Sequence, residues 1–370
     1  MSNTLSPTVT ERLLTACTPD VLAMLIDATG ITAINSFTAE FRREIDGCGG
    51  YSCPKIPVMF HWQTADGRRG ELDTMLKAFP WGRSEAAAYR YLSPLGAPIP
   101  RCYGAMQVPP DASPEGWTPG TEIIFLEYLP HIGFDWDHLG DRLAVARTYA
   151  RLHAIPEDLP GAPQWEVLRQ GAGIDVRLER LRHVVETCHN GCLGPELAEV
   201  SDALVVLLPD AAGWLTEMAH QADSFPSGLI HKDASPQNTG WREQRNEALL
   251  IDLQPMCIGG ILGDLLSLLP PHDYSDDDQQ VAAAYCAELN ALRQTELTPD
   301  DVEIGARLAK SLFRVGFLAW ALQRSIDGRV DWTDDVEEGK RVYRGWLLGH
   351  LRDIELDLRA YGTRKEGSSV

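Results

Sequence analysis

The hydrophobic period of this chain changes once, near Pro130, and that change limits the architectures open to it. Before it, apolar residues alternate as in strands: FTAEFRREI from Phe37, then IPVMFHWQT and ELDTMLKAF, with a glycine cluster after the first run and an Asp66-Gly67 turn after the second. The reading is three antiparallel strands. A helix opening at Ser84-Glu85 follows, then two further strand candidates, RCYGAM and TEIIFLEYL, on either side of a Pro/Gly-rich loop. After Pro130 the spacing is helical, in RLAVARTYARLHAI and in 174–189, 194–208 and 210–222. Strand-like GLIH and ALLIDLQ interrupt it before helices resume from Gly263 to about Tyr361. Strands first and helices afterwards predict a segregated α+β chain: a small five-stranded antiparallel lobe over 37–129 and a mostly helical lobe over 130–370. Residues 7–29 read as one or two short helices, with Thr18-Pro19-Asp20 as a helix start, so 1–36 is expected to be a helical extension.

Composition narrows the class of partner. With 370 residues, 44% of them apolar, the chain can build two lobes with real cores. It carries 33 basic against 53 acidic residues, net −20, and its basic residues come no denser than doublets such as Arg42-Arg43 and Arg68-Arg69. Phosphate backbones need a basic face, so nucleic acid is not expected as a partner. The N-terminal segment lacks the basic and apolar regions of a secretory signal, and no stretch of 18 residues is free of charge; the expectation is no membrane and a cytoplasmic setting. Eight cysteines are too dilute for a disulfide scaffold, and Cys188, His189 and Cys192 lack the second ligand pair of a zinc site. Residues 1–130 hold 10 basic and 14 acidic residues (net −4), leaving 23 and 39 (net −16) for 131–370. An excess of that size in one lobe favours a cationic small-molecule partner, with the DWTDDVEE stretch (331–338) as a candidate contact.

The chemistry is concentrated in Leu229-Ile230-His231-Lys232-Asp233-Ala234-Ser235-Pro236-Gln237-Asn238, followed by the apolar run Ala248-Leu249-Leu250-Ile251 and Asp252. A His-x-Asp, an Asn five residues later and an Asp closing a strand about twenty residues on form the spacing of metal-assisted phosphoryl transfer. Asp233 can orient and deprotonate an attacking hydroxyl. Asn238 and Asp252 offer the hard oxygen ligands that Mg²⁺ prefers. His231 is expected to shape the loop rather than to exchange protons.

With these motifs in this order, from about Phe37 onward, the sequence resembles the aminoglycoside phosphotransferase and choline kinase family, small-molecule relatives of the protein kinases. The resemblance implies a protein-kinase-like two-lobed fold and ATP or GTP with Mg²⁺ as cofactors. Gly49, Gly50 and Ser52, in Gly-Gly-Tyr-Ser, resemble the phosphate-covering loop. Lys77 matches the strand lysine that holds the α- and β-phosphates, and Glu85 its partner at the start of the following helix. In Phe125-Leu126-Glu127-Tyr128-Leu129-Pro130, similar to the hinge, the carbonyl of Glu127 and the N–H of Leu129 are implied to meet the base. Leu152-His153 resembles the family's Leu-His pair, and Gly263-Asp264 its structural aspartate.

Two departures carry information. Lys232 stands where the family commonly has glycine, and barely a dozen residues separate Asp252 from Asp264, too few for the long activation loop of a protein kinase. The implied acceptor is therefore a small molecule, an aminoglycoside-type antibiotic first and a metabolic amino alcohol or sugar second. A catalytically silent binding module is the alternative from another class, and it would be favoured by loss of Lys77, Asp233, Asn238 or Asp252; all four are present.

Overall fold

The structure, a computed structural model, describes residues 7–41, 55–79, 85–115, 117–118, 120–242, 247–270, 274–328 and 335–367. By contacts the chain divides into two units: Met1–Asp135, Asp158–Gln164 and Ser235–Met256 form the first, and Trp136–Glu157, Trp165–Ala234 and Cys257–Val370 the second. The division cuts the chain differently from a single boundary at residue 130, since Ser235–Met256 groups with the sheet-bearing unit.

In the first unit, helices α1 (Pro7–Ala16) and α2 (Thr18–Thr29) precede strands β1 (Ile34–Phe41), β2 (Lys55–Thr64) and β3 (Arg69–Ala78). Helix α3 (Ala86–Leu92) and strands β4 (Cys102–Gln107) and β5 (Glu122–Glu127) follow. The sheet is antiparallel with order β1-β2-β3-β5-β4. Alternate residues Ile56, Val58, Phe60 and Trp62 of β2 are buried with Leu76, Ile123 and Phe125. Leu13, Leu14, Val21, Met24 and Leu25 of the two N-terminal helices join the same core. Period-2 burial in the strands and helical spacing in α1 and α2 thus serve one apolar layer. Three short strands, β6 (His131–Ile132), β8 (Thr239–Trp241) and β9 (Ala248–Leu250), make a second sheet of order β6-β8-β9. That pairing is what draws residues beyond 235 into the first unit.

The second unit holds helices α4 (Leu139–His153), α5 (Ile174–His189) and α6 (Pro195–Asp223), then α7 (Asp276–Arg293), α8 (Pro299–Asp327) and α9 (Val336–Gly367). Strands β7 (Ser227–Ile230) and β10 (Cys257–Gly260) pair antiparallel. The sequence predicts a break between 208 and 210, yet α6 runs unbroken through Pro209. Leu204 before the proline and Ala211, Trp214 and Leu215 after it are buried in one core with α5, α8 and α9, so continuous packing outweighs the one lost N–H bond. A 3-10 turn, Ile261–Ser267, follows β10 and lies against α8, where a Cβ on Gly305 would meet Leu262 at 2.1 Å. Among the described residues no helix is long and apolar enough to cross a membrane.

Candidate active site

Lys77 and Glu85 are almost fully buried, 3% and 1% exposed. Strand β3 ends at Ala78, and Glu85 stands at the N-cap position of α3, but its carboxylate bonds to Lys77 Nζ instead of capping the helix. Ser84, the expected cap, lies outside the described residues. Asp252, two residues beyond β9, brings Oδ1 to 2.9 Å from Lys77 Nζ, which closes a Glu–Lys–Asp row buried at Glu85 and Lys77 and partly exposed at Asp252. Burial disfavours the charged form of Lys77, but Glu85 and Asp252 outweigh it and hold its pKa above the ordinary lysine value. Burial would likewise raise Asp252, and Lys77 and Lys55 instead hold it well below the usual carboxylate range. Lys55 Nζ lies 3.7 Å from Asp252 Oδ2. The sequence reading missed Lys55, which the β2–β3 register, turning through the three residues Ala65-Asp66-Gly67, puts directly opposite Lys77.

Asn238 ends a 3-10 turn, Pro236–Asn238, immediately before β8. The register Thr239↔Leu250 brings it alongside Ile251, whose N–H donates to the Asn238 carbonyl at 3.0 Å. A carboxamide and a carboxylate therefore emerge from neighbouring chain segments at one end of the β8–β9 hairpin. Their hard oxygens fit Mg²⁺. Among the described residues no three His, Cys, Asp or Glu side chains cluster as a metal cage, so a cation here would draw its remaining ligands from phosphate and water.

At the end of β5, the Glu127 carboxylate receives two hydrogen bonds from Arg242, at 2.7 and 3.0 Å, and one from the Arg101 N–H at 3.0 Å. Burial pushes its pKa up, but the Arg242 fork brings it below the ordinary glutamate value. Leu129 is buried over Gly240, where a Cβ would come within 2.3 Å of Leu129 Cδ1, so only glycine fits beneath it. Arg242 was not legible as a partner of Glu127, because 115 residues separate them.

In the second unit, β7 delivers the loop that carries Asp233, whose side chain is exposed. Asp264, 1% exposed in the Ile261–Ser267 turn, accepts from the N–H of His231 and from the N–H of Lys232 at 2.9 Å. His153 Nε2 lies 3.1 Å from Asp264, and its Nδ1 is 2.8 Å from the Tyr285 hydroxyl. A carboxylate can only accept, so Nε2 carries the proton, and in the neutral ring Nδ1 accepts from Tyr285. One buried acid thus pins the two amides that precede Asp233, and the histidine of the Leu-His pair orients that acid. Lys232 adopts φ 67°, the left-handed region that glycine occupies freely, and its Nζ lies 3.5 Å from Glu166.

Gly49, Gly50 and Ser52 lie outside the described residues, as do Asp331, Trp332 and Asp334. The remaining acids of that stretch are engaged: Asp335 accepts from the N–H groups of Glu337 and Glu338 at the start of α9, Glu337 pairs with Lys340, and Glu338 with Arg341. Cys188 is buried, and His189 pairs with Asp202.

The chain is similar to several solved structures. An aminoglycoside phosphotransferase from Alicyclobacillus acidocaldarius is 15% identical over 90% of this chain and 93% of its own, with a TM-score of 0.47. A choline/ethanolamine kinase family protein from Mesorhizobium loti is 14% identical over 93% and 99%, also at 0.47. A macrolide 2'-phosphotransferase from Brachybacterium faecium is 16% identical over 90% and 98%, at 0.46. No curated protein sequence matches the chain. The model of the phosphotransferase enzyme family matches residues 73–299, more than half of the chain. That span takes in Lys77 with its carboxylates, the Asp233 loop and the Asp264 clamp, and on it the chain belongs to the phosphotransferase enzyme family.

Proposed function

We propose that this chain, with Mg²⁺, transfers the γ-phosphoryl group of ATP or GTP to a hydroxyl of a small, amine-bearing molecule, an aminoglycoside-type antibiotic first among the classes. The observation that carries the proposal is the buried Lys77, held by Glu85 and reaching Asp252. A cation desolvated and paired at such a cost is a poor stability device and a good preorganised phosphate contact.

In this reading Lys77 holds the α- and β-phosphates, the backbone at Glu127 and Leu129 meets the base, and Gly49, Gly50 and Ser52 cover the phosphates. Asn238 and Asp252 hold Mg²⁺, which when bound supplies charge neutralisation at the phosphate oxygens. Asp233 accepts the proton of the acceptor hydroxyl as its oxygen forms a bond to the γ-phosphorus; the bond from that phosphorus to the β–γ bridging oxygen breaks, and the nucleoside diphosphate leaves with the electron pair. The net charge of −16 over residues 131–370 supports an acceptor with ammonium groups.

The test is nucleoside diphosphate release from purified protein, with ATP and with GTP, across a panel of aminoglycosides, amino alcohols and neutral sugars. Release stimulated by amine-bearing acceptors supports the reading. Stimulation by neutral acceptors alone would overturn the acceptor class, and tight nucleotide binding with no acceptor-dependent release would favour a binding module.

A further inference from the structure

Strand register places Lys55 directly opposite Lys77. Two like charges facing each other across a strand pair are unfavourable, more so with little water to screen them. Here the Lys55 side chain is 18% exposed and the Lys77 side chain 4%. What reconciles them is Asp252, one oxygen on each lysine, at 3.7 Å from Lys55 and 2.9 Å from Lys77. The two lysines are not equivalent. Lys77 has a second carboxylate, Glu85, whereas Asp252 is the only carboxylate paired with Lys55 among the described residues. At 3.7 Å that contact is an ion pair without a hydrogen bond, and so the one more easily exchanged. Along the sequence Lys55 stands three residues after Ser52, the end of the glycine segment read as covering phosphates.

The charges also balance in a telling way. With both carboxylates ionised, Lys55, Lys77, Glu85 and Asp252 sum to zero, so the cluster by itself carries no net charge to attract a polyanion. A divalent cation on Asp252 would turn the sum to +2 and leave the Lys55 ammonium without its partner. We infer that Lys55 is a second cation of the nucleotide site, competing with a divalent ion for Asp252 and contacting a phosphate oxygen once the ion has taken that carboxylate. The inference rests on the nucleotide-site reading above. It makes Lys55 a determinant of nucleotide affinity in addition to Lys77, with Glu85 holding Lys77 in place and, among the described residues, no second carboxylate holding Lys55.

The experiment uses the full chain and two ligands separately: Mn²⁺ alone, counted by electron paramagnetic resonance, and ATP or GTP, measured by calorimetry with and without Mg²⁺. Lys55→Met removes the charge at similar length, Lys55→Arg keeps it, and Lys55→Gln is a more soluble substitute if the Met variant fails to fold. Losing a charge-assisted phosphate contact should weaken nucleotide binding by about tenfold to a hundredfold in the Met or Gln variant, with most of the loss recovered in Lys55→Arg. Mn²⁺ alone should bind the Met or Gln variant about threefold or more tightly, because its competitor for Asp252 is gone. Opposite shifts for the two ligands are a signature that mere loss of packing does not produce. Equal affinities in wild type and variant, or weakening of both ligands together, would overturn the role of Lys55. If the wild-type chain binds neither ATP nor GTP, the nucleotide reading itself fails, and that result is visible before any variant is made.

Discussion

Asp233 and Lys232 are adjacent, yet their replacement should act on different properties. The Asp233 side chain is exposed, while the loop behind it is held through the amides of His231 and Lys232 on Asp264. Asp233→Asn should therefore leave stability within about 0.5 kcal/mol of wild type, with nucleotide binding intact. Turnover should fall by about 10² to 10⁴. Steady-state kinetics beside calorimetry will decide, and near-normal turnover in the folded variant would remove Asp233 from the mechanism. The backbone of Lys232 is in the left-handed conformation, where a non-glycine residue is strained. Its pair with Glu166 is solvent-exposed on both sides and worth little. Lys232→Gly, which restores the residue common in the family, should accordingly raise stability by about 0.5–1 kcal/mol in urea titration; a lower midpoint would mean that the Glu166 pair outweighs the strain.

Helix ends and helix pairs account for two further expectations. Ahead of the acidic run Asp276-Asp277-Asp278 stands Ser275, and Ser275 and Asp278 form a capping box at the start of α7, while Asp278 also binds the buried Arg142 of α4. Ser275→Ala removes a cap alone and should cost about 1 kcal/mol. Asp278→Ala keeps that cap but removes the carboxylate half of the capping box and the anion paired with a buried guanidinium, which is left with its bond to the Leu268 carbonyl, so it should cost about 3 kcal/mol or more. Thermal unfolding of the two variants checks the ranking, which equal losses would contradict. On α9, His350 packs edge-on to Phe317 of α8. Burial, with Arg314 and Lys310 nearby and only Asp353 opposing, lowers its pKa to about 4. The unfolded chain takes up this proton near pH 6.5 and the folded chain only near 4, so stability falls as pH drops through that window. His350→Gln should lose about 1–2 kcal/mol less than wild type between pH 6.5 and 4, after allowance for solvent screening. Parallel curves for the two proteins would show that His350 does not titrate in that range.

Considered as a whole, the molecule is a polyanion, net −20, with the excess lying beyond residue 130. A cationic acceptor is then drawn by a field that salt screens over about 8 Å at 0.15 M. The acceptor KM should rise about two- to fivefold between low and high ionic strength. The nucleotide, itself an anion, should show no such rise. An acceptor KM that does not respond to salt would separate the acidic surface from substrate capture and leave it a role in solubility. Of the DWTDDVEE acids, those in the described residues cap or pair within α9, so this prediction belongs to the summed charge of the molecule and not to that stretch alone.

Much of the architecture could be read from local pattern. Alternation located β1 to β5, and helical spacing located α4 and α5 and marked the stretch beyond Gly263 as helical without dividing it into α7, α8 and α9, whereas the pairing of Lys77 with Glu85 was implied by the family resemblance. Alternation and helical spacing are properties of a few consecutive residues, because burial on one face imposes period 2 or 3.6 wherever a strand or helix lies on a core. The continuity of α6 through Pro209 was not local, since it depends on a core built from α5, α8 and α9. Nor were the partnerships that shape the site: Lys77 with Asp252, 175 residues apart, Arg242 with Glu127, and His153 with Asp264. Lys55 lies between the two cases: the strand pair was legible, but a two-residue turn at Asp66-Gly67 would set Lys55 opposite Ala78, and the three-residue loop 65–67 instead sets it opposite Lys77, beside which Asp252 arrives from another sheet. Periodicity is written into neighbouring residues, whereas the identity of a charge's partner is settled when folding removes water and only the anions within reach can replace it.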